Sequence, residues 1–152
     1  MLRDRIKESL KEAMKSKDKR RISTLRLIIA TLQDRDLAAR DKGAEKGITD
    51  EEILQMLTTM VRQRKDSIAA YEKGGRADLA TAEQEEIDII SEYLPKQFDE
   101  AETRAAVAEV IEDISAQGLK DMGRTMAELK IRFAGQMDFS KASAIVKEAL
   151  GA

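Results

Sequence analysis

The chain has 152 residues, 42% hydrophobic and 37% charged, with no cysteine and no histidine. That composition supports a real core. It excludes disulfides, thiolate nucleophiles, Cys/His zinc sites and the usual general base near neutral pH. The net charge of −2 conceals a basic start (residues 1–40, 12 Lys/Arg against 6 Asp/Glu) and an acidic stretch, residues 81–116, with 2 against 11.

Ala, Leu, Ile, Lys, Arg and Glu dominate, and these residues lose little rotamer freedom in helices. The first helix is predicted over residues 2–15, with Leu2, Ile6, Leu10 and Met14 at four-residue spacing. The second runs over 19–40 with an inner stripe of Ile22, Leu25, Ile29 and Leu32. Residues 41–48 read as a mobile loop. Thr49 and Glu52 form a capping box for a third helix that ends at Gly74-Gly75. Asp78 is read as the cap of a fourth helix reaching Tyr93.

Residues 95–98, opening on the single proline, mark a boundary and a hinge. Asp99 and Glu102 form a second capping box, and the fifth helix is expected to reach Gln117 with Val107, Ile111 and Ile114 inward. A sixth helix starts near Asp121 and a seventh near Asp138, with Gly135 between them. No apolar alternation of period 2 is bounded by turns. The expectation is an all-α protein: an N-terminal helical bundle over residues 1–95 and a three-helix domain over 99–152.

Two constellations stand out. Arg64 falls within the apolar face of the third helix, and Glu86 within that of the fourth, which suggests a partly buried ion pair. On the sixth helix, Met122, Met126, Leu129 and Phe133 share one face. Arg124 and Arg132 are read on the opposite side, with Lys130 on the flank and Lys120 just before the helix. Cations beside a helix start suit phosphate oxygens, which makes Lys120, Arg124, Lys130 and Arg132 the candidate phosphate contacts, although an ordinary amphipathic helix with a wet basic face is the more frequent use of such spacing. A further basic cluster, Lys15, Lys17, Lys19, Arg20 and Arg21, has no aromatics interleaved for base stacking. No phosphate loop and no nucleophile elbow is present. No metal and no cofactor is expected. The charged N-terminus and the lack of any long apolar run lead to the expectation of a cytoplasmic protein away from the membrane.

The ordered set Thr49-Asp50-Glu51-Glu52-Ile53, Arg64-Lys65-Asp66-Ser67-Ile68, Gly74-Gly75-Arg76, Glu86-Ile87 and Tyr93-Leu94-Pro95-Lys96-Gln97 resembles the YqeY branch of the GatB/YqeY family. The C-terminal signature Asp121, Met122, Gly123, Gly135 and Asp138 extends the likeness over nearly the whole chain. The resemblance implies two helical domains, the second similar to the tail of the GatB subunit of tRNA-dependent amidotransferase. It implies tRNA, or a tRNA-handling enzyme, as partner. It also carries the label of a carbon–nitrogen ligase with glutamine as amido-N-donor, yet the amidotransferase's kinase-like body and Ser/Lys amidase machinery have no counterpart here. Stand-alone catalysis is therefore not expected. A protein-interaction module without RNA is the alternative.

Overall fold

A computed structural model describes residues 1–151. The fold is all-α, with seven α-helices and no strand among the described residues. It divides into two compact units, Met1–Pro95 and Lys96–Ala152.

The first unit holds α1 (Leu2–Ser16), α2 (Lys19–Asp41), α3 (Asp50–Lys73) and α4 (Ala77–Ser91). Lys17 adopts the left-handed conformation at φ 59° and closes α1. Asp18 then caps α2 by accepting the Arg21 N–H at 3.1 Å. The core joins Ile6 and Ala13 of α1, Leu25, Ile28 and Leu32 of α2, Ile53, Met56, Leu57 and Met60 of α3, and Ile90 and Tyr93. Each large aliphatic side chain there contributes about 1.5–3 kcal/mol by leaving water. The α2 stripe is rotated from the expected one: Ile28 is buried, whereas Ile22 and Ile29 are only partly covered.

At the start of α3, Thr49 and Glu52 form their capping box, with the Glu52 N–H donating to the Thr49 hydroxyl at 3.2 Å. The fourth helix departs from expectation. It begins at Ala77, so Asp78 lies inside the first turn, and its carboxylate accepts from the Arg76 guanidinium instead of capping. Gly75, at φ +71°, turns the chain back sharply, and the Arg76 N–H returns to the Tyr71 carbonyl at 2.8 Å. That early return starts the helix two residues sooner.

The loop over residues 41–48 is exposed through Lys46, but its far end is anchored. Asp36, 6% exposed on the inner side of α2, accepts the Ile48 N–H at 2.9 Å. Arg3 grips the same carboxylate at 2.6 and 3.2 Å and donates to the Ile48 carbonyl at 3.0 Å. Burial works to push the Asp36 carboxyl up. The Arg3 hydrogen bond and the Ile48 N–H outweigh it and hold the carboxyl below the usual carboxylate range.

The second unit holds α5 (Glu100–Asp113), a 3-10 turn (Leu119–Asp121), α6 (Met122–Arg132) and α7 (Phe139–Gly151). Its own core is Ala106, Val107, Val110, Leu129, Met137, Ala142 and Val146. Residues 96–98 are fastened to it: the Phe98 N–H donates to the Gln136 carbonyl at 2.7 Å, and the Phe98 and Phe133 rings lie 5.3 Å apart. The expected hinge segment is thus tied down over most of its length.

Candidate functional site

The geometry that bears on function lies where α5 ends and α6 begins. α5 stops at Asp113, short of the expected Gln117. Ser115 takes a left-handed turn at φ 55°, and the Ala116 N–H returns to the Ile111 carbonyl at 3.0 Å. Side chains from α6 then complete this end. Arg124 donates to the Ile114 carbonyl at 2.7 Å, satisfying an acceptor that the finished helix leaves open. Asp121 accepts the Gln117 N–H at 2.8 Å, and its other oxygen lies 3.4 Å from Arg124. The Gln117 N–H, aided by Arg124, holds the Asp121 carboxyl below its ordinary range.

Arg132 does not project outward as the helical wheel suggested. Its guanidinium turns to Asp113 at 2.7 Å and to Glu128 at 2.8 Å. Asp113 and then Glu128 hold it firmly in the protonated form. Both arginines therefore fasten α6 to the end of α5. Lys120 and Lys130 are exposed, and neither has an ion-pair partner among the described residues. Between them, Gly123, Ala127 and Ile131 form an uncovered strip, with Ile131 65% exposed.

The signature residues serve the frame of the unit. Asp138 precedes α7, accepting the Ser140 N–H at 2.9 Å on its carboxylate and the Ala142 N–H on its carbonyl. Gly135 is buried at φ +76°, a conformation that disfavours any side chain, and its carbonyl accepts from Gln97. Met122 packs partly buried against the core beside Met126 and Phe133, while Leu129 is fully buried. Thr125, unremarked in the sequence, is also fully buried, its hydroxyl donating to the Asp121 carbonyl at 2.9 Å. A Cβ on Gly123 would meet nothing within 4 Å, so close packing inside the chain does not account for that glycine.

In the first unit, Arg64 Nε donates to Glu86 at 2.8 Å and Nη1 to the Met60 carbonyl at 3.0 Å, with Arg64 8% exposed. The pair sits one turn beyond Met60, the last α3 residue of the buried core. It is a structural crosslink between α3 and α4. Of the basic cluster near the α1–α2 turn, Arg20 reaches Glu85 at 3.1 Å and Arg21 reaches Glu92, so Arg20 binds α2 to α4 and Arg21 binds it to the residue that caps the end of α4. Lys15, Lys17 and Lys19 remain exposed. The Arg3–Asp36 pair was missed in the sequence. Its signal was an aspartate eleven residues after Leu25 and four after Leu32, on the same helix face.

Among the described residues no group of three or more acidic side chains could hold a metal ion, and no helix is long and apolar enough to cross a membrane. The sequence model of the family described as Yqey-like protein matches residues 3–150. The chain belongs to the YqeY-like family. Its relatives include "Altered inheritance of mitochondria protein 41, mitochondrial" from three yeasts. The Kluyveromyces lactis protein is 32% identical over 72% of this chain and 58% of its own length. That of Candida glabrata is 30% identical over 84% and 65%, and that of Eremothecium gossypii 30% over 97% and 79%. The chain thus spans less than two thirds of the first two relatives. These YqeY-like relatives are described as mitochondrial, which overturns the expectation of a cytoplasmic protein. The physical reason is plain: charge at the N-terminus and the lack of a long apolar run bear on membrane spanning, and say nothing about which aqueous compartment holds a helical protein.

Proposed function

We propose that this YqeY-like chain is an accessory protein of tRNA handling that meets tRNA phosphates through Lys120 and Lys130. The carrying observation is that these two ammonium groups stand exposed and outside any close ion pair among the described residues, Lys120 in the turn that precedes α6 and Lys130 on α6 itself. The likeness of Asp121, Met122, Gly123, Gly135 and Asp138 to the GatB tail supports tRNA as the polyanion. Arg124 and Arg132, the other two cations first assigned to this contact, act behind it by fixing α6 on α5. The second unit as a whole carries 8 Lys/Arg against 10 Asp/Glu, so attraction is local to this face rather than a property of the unit. Catalysis belongs to a partner enzyme; this chain presents or stabilises the tRNA.

Two phosphate contacts release few counterions, so log affinity should fall with log salt at a slope of about −2. Titration of bulk tRNA at low salt tests the reading. Lys120→Glu/Lys130→Glu should weaken binding at least about tenfold, a loss of roughly 1.4 kcal/mol, with helicity unchanged. No binding by the wild type, or equal binding by the double variant, would remove the proposal. Reversing Arg124 and Arg132 is a poorer test, because it also breaks the clamp on α5.

A second reading rests on Ile131. An exposed apolar strip with Ala127 and Gly123 has no use for phosphate and suits a helix of a protein partner. Ile131→Ser, which changes no charge beside Lys130, should leave tRNA affinity unchanged under the first reading and disrupt partner binding under the second.

A further inference from the structure

α2 has a second face. Ser23, Leu27, Ala30, Asp34, Leu37 and Asp41 succeed one another at alternating steps of four and three residues, and all six are exposed. That spacing draws one line along a helix, the pattern of a coiled-coil seam. It runs opposite the Leu25, Ile28 and Leu32 stripe that meets the core. Single exposed leucines are ordinary, but here Leu27 (46% exposed) and Leu37 (61% exposed) share one seam with Ala30. Arg26 on its flank, and Asp34 and Asp41 within it, have no ion-pair partner among the described residues.

We propose that this seam pairs, antiparallel, with the same seam of a second copy of the chain. The residues select both the direction and the register. In the antiparallel register that sets Leu27 against Leu37 of the second copy, Ala30 meets Asp34 and Ser23 meets Asp41. Each of these layers occurs twice by symmetry. Both exposed leucines are covered, and each carboxylate faces a small side chain. Arg26 flanks the seam, and the two-fold sets its flank against the same flank of the second copy, where it comes within reach of the free Asp41 carboxylate of that copy, with Arg40 on the same edge.

The alternatives fail on the same residues. A parallel pair sets Asp34 against Asp34 and Asp41 against Asp41, like charges in the seam. Sliding the antiparallel pair by one heptad in either direction separates the leucines. With 23 residues, α2 is about 34 Å long, and two leucines per copy make a small contact, below a standard interface of about 1,600 Å². The dimer is therefore weak and concentration-dependent.

The chain has no cysteine, so introduced thiols report without background. Positions 23 and 41 lie roughly 27 Å apart along one helix, too far for a bridge within a chain. In the proposed pair, position 23 of one copy faces position 41 of the other. Mild oxidation of full-length Ser23→Cys/Asp41→Cys should yield a disulfide-linked dimer at least about tenfold faster than either single variant. Adding Leu27→Glu and Leu37→Glu should abolish the difference. Both leucines are exposed, so helicity and melting temperature should hold, and these are measured alongside. Sedimentation of the wild type should show a concentration-dependent dimer that the leucine variant lacks. Crosslinking of the double variant no faster than the singles, rapid crosslinking of the single variants, or a wild type that stays monomeric at millimolar concentration would each overturn the proposal.

Discussion

Arg64 and Asp36 are the two buried charges of the first unit, and each is held by several bonds. Glu86 faces Arg64 with its side chain only 22% exposed. Arg64→Ala would strand that carboxylate and should destabilise the protein by about 2–5 kcal/mol in urea unfolding. The same change at exposed Lys65 should stay within about 0.5 kcal/mol. Equal effects would show that the pair does nothing for stability. Gly47 makes a sharper case. It sits at φ +80°, and a Cβ there would approach the Asp36 carboxylate oxygen to 2.3 Å. Gly47→Ala therefore combines left-handed strain with a clash against a fixed charge, and should cost about 2–3 kcal/mol. Gly43→Ala, at φ +99° in open space, should cost only the strain, about 1 kcal/mol. Thermal melts of the two variants, side by side, separate the terms.

At the scale of elements, the latch built from Arg3, Asp36 and Ile48 ties α1, α2 and the start of α3 together. Its carboxyl is held below the ordinary range. The stability it confers is therefore present above the unfolded value, about 3.9, and is lost as pH falls through the lower folded value. Protection of the Ile48 amide from exchange should hold from neutrality to about pH 5 and fall in stronger acid, relative to an α3 core amide such as Leu57. Asp36→Asn should lower protection at neutral pH and remove the acid step. A profile identical to that of Leu57 would dismiss the latch. Proteolysis should first nick the loop between Gly43 and Lys46, where the chain is exposed, and spare the anchored Ile48.

For the whole molecule, the decisive feature is that each unit has its own core. Val107, Val110, Leu129, Met137, Ala142 and Val146 pack together in the second unit, and two capped helix ends support them. Residues 96–152 expressed alone should be helical and melt cooperatively. Stability should be modest, roughly 3–5 kcal/mol, as small cores allow. A fragment starting at residue 99 should be weaker, because it lacks the Phe98 N–H bond to Gln136 and the Phe98–Phe133 contact. Identical melts of the two fragments would show that residues 96–98 add nothing.

Sequence alone determined the helices, both capping boxes, the apolar face of α3 and the family likeness. These depend on neighbours three and four residues apart, and local spacing carries that information. On α1 the expected stripe held only as far as Leu10: Met14 is 49% exposed, and Ala13 is buried beside Ile6 instead. The exact face of α2 did not follow, because apolar residues lie on two sides of that helix and periodicity alone cannot say which side meets a core. The starts and stops of α4 and α5 were set by bonds from elsewhere: Gly75 and Tyr71 at one, Arg124 and Asp121 at the other. The tertiary structure also decided which cations are free. Arg124 and Arg132 look like Lys120 and Lys130 in a sequence, but guanidinium forks reach carbonyls and carboxylates of the preceding helix, while the two ammonium groups find none. Whether a charge is available to a partner depends on what folds up beside it, and only long-range packing settles that.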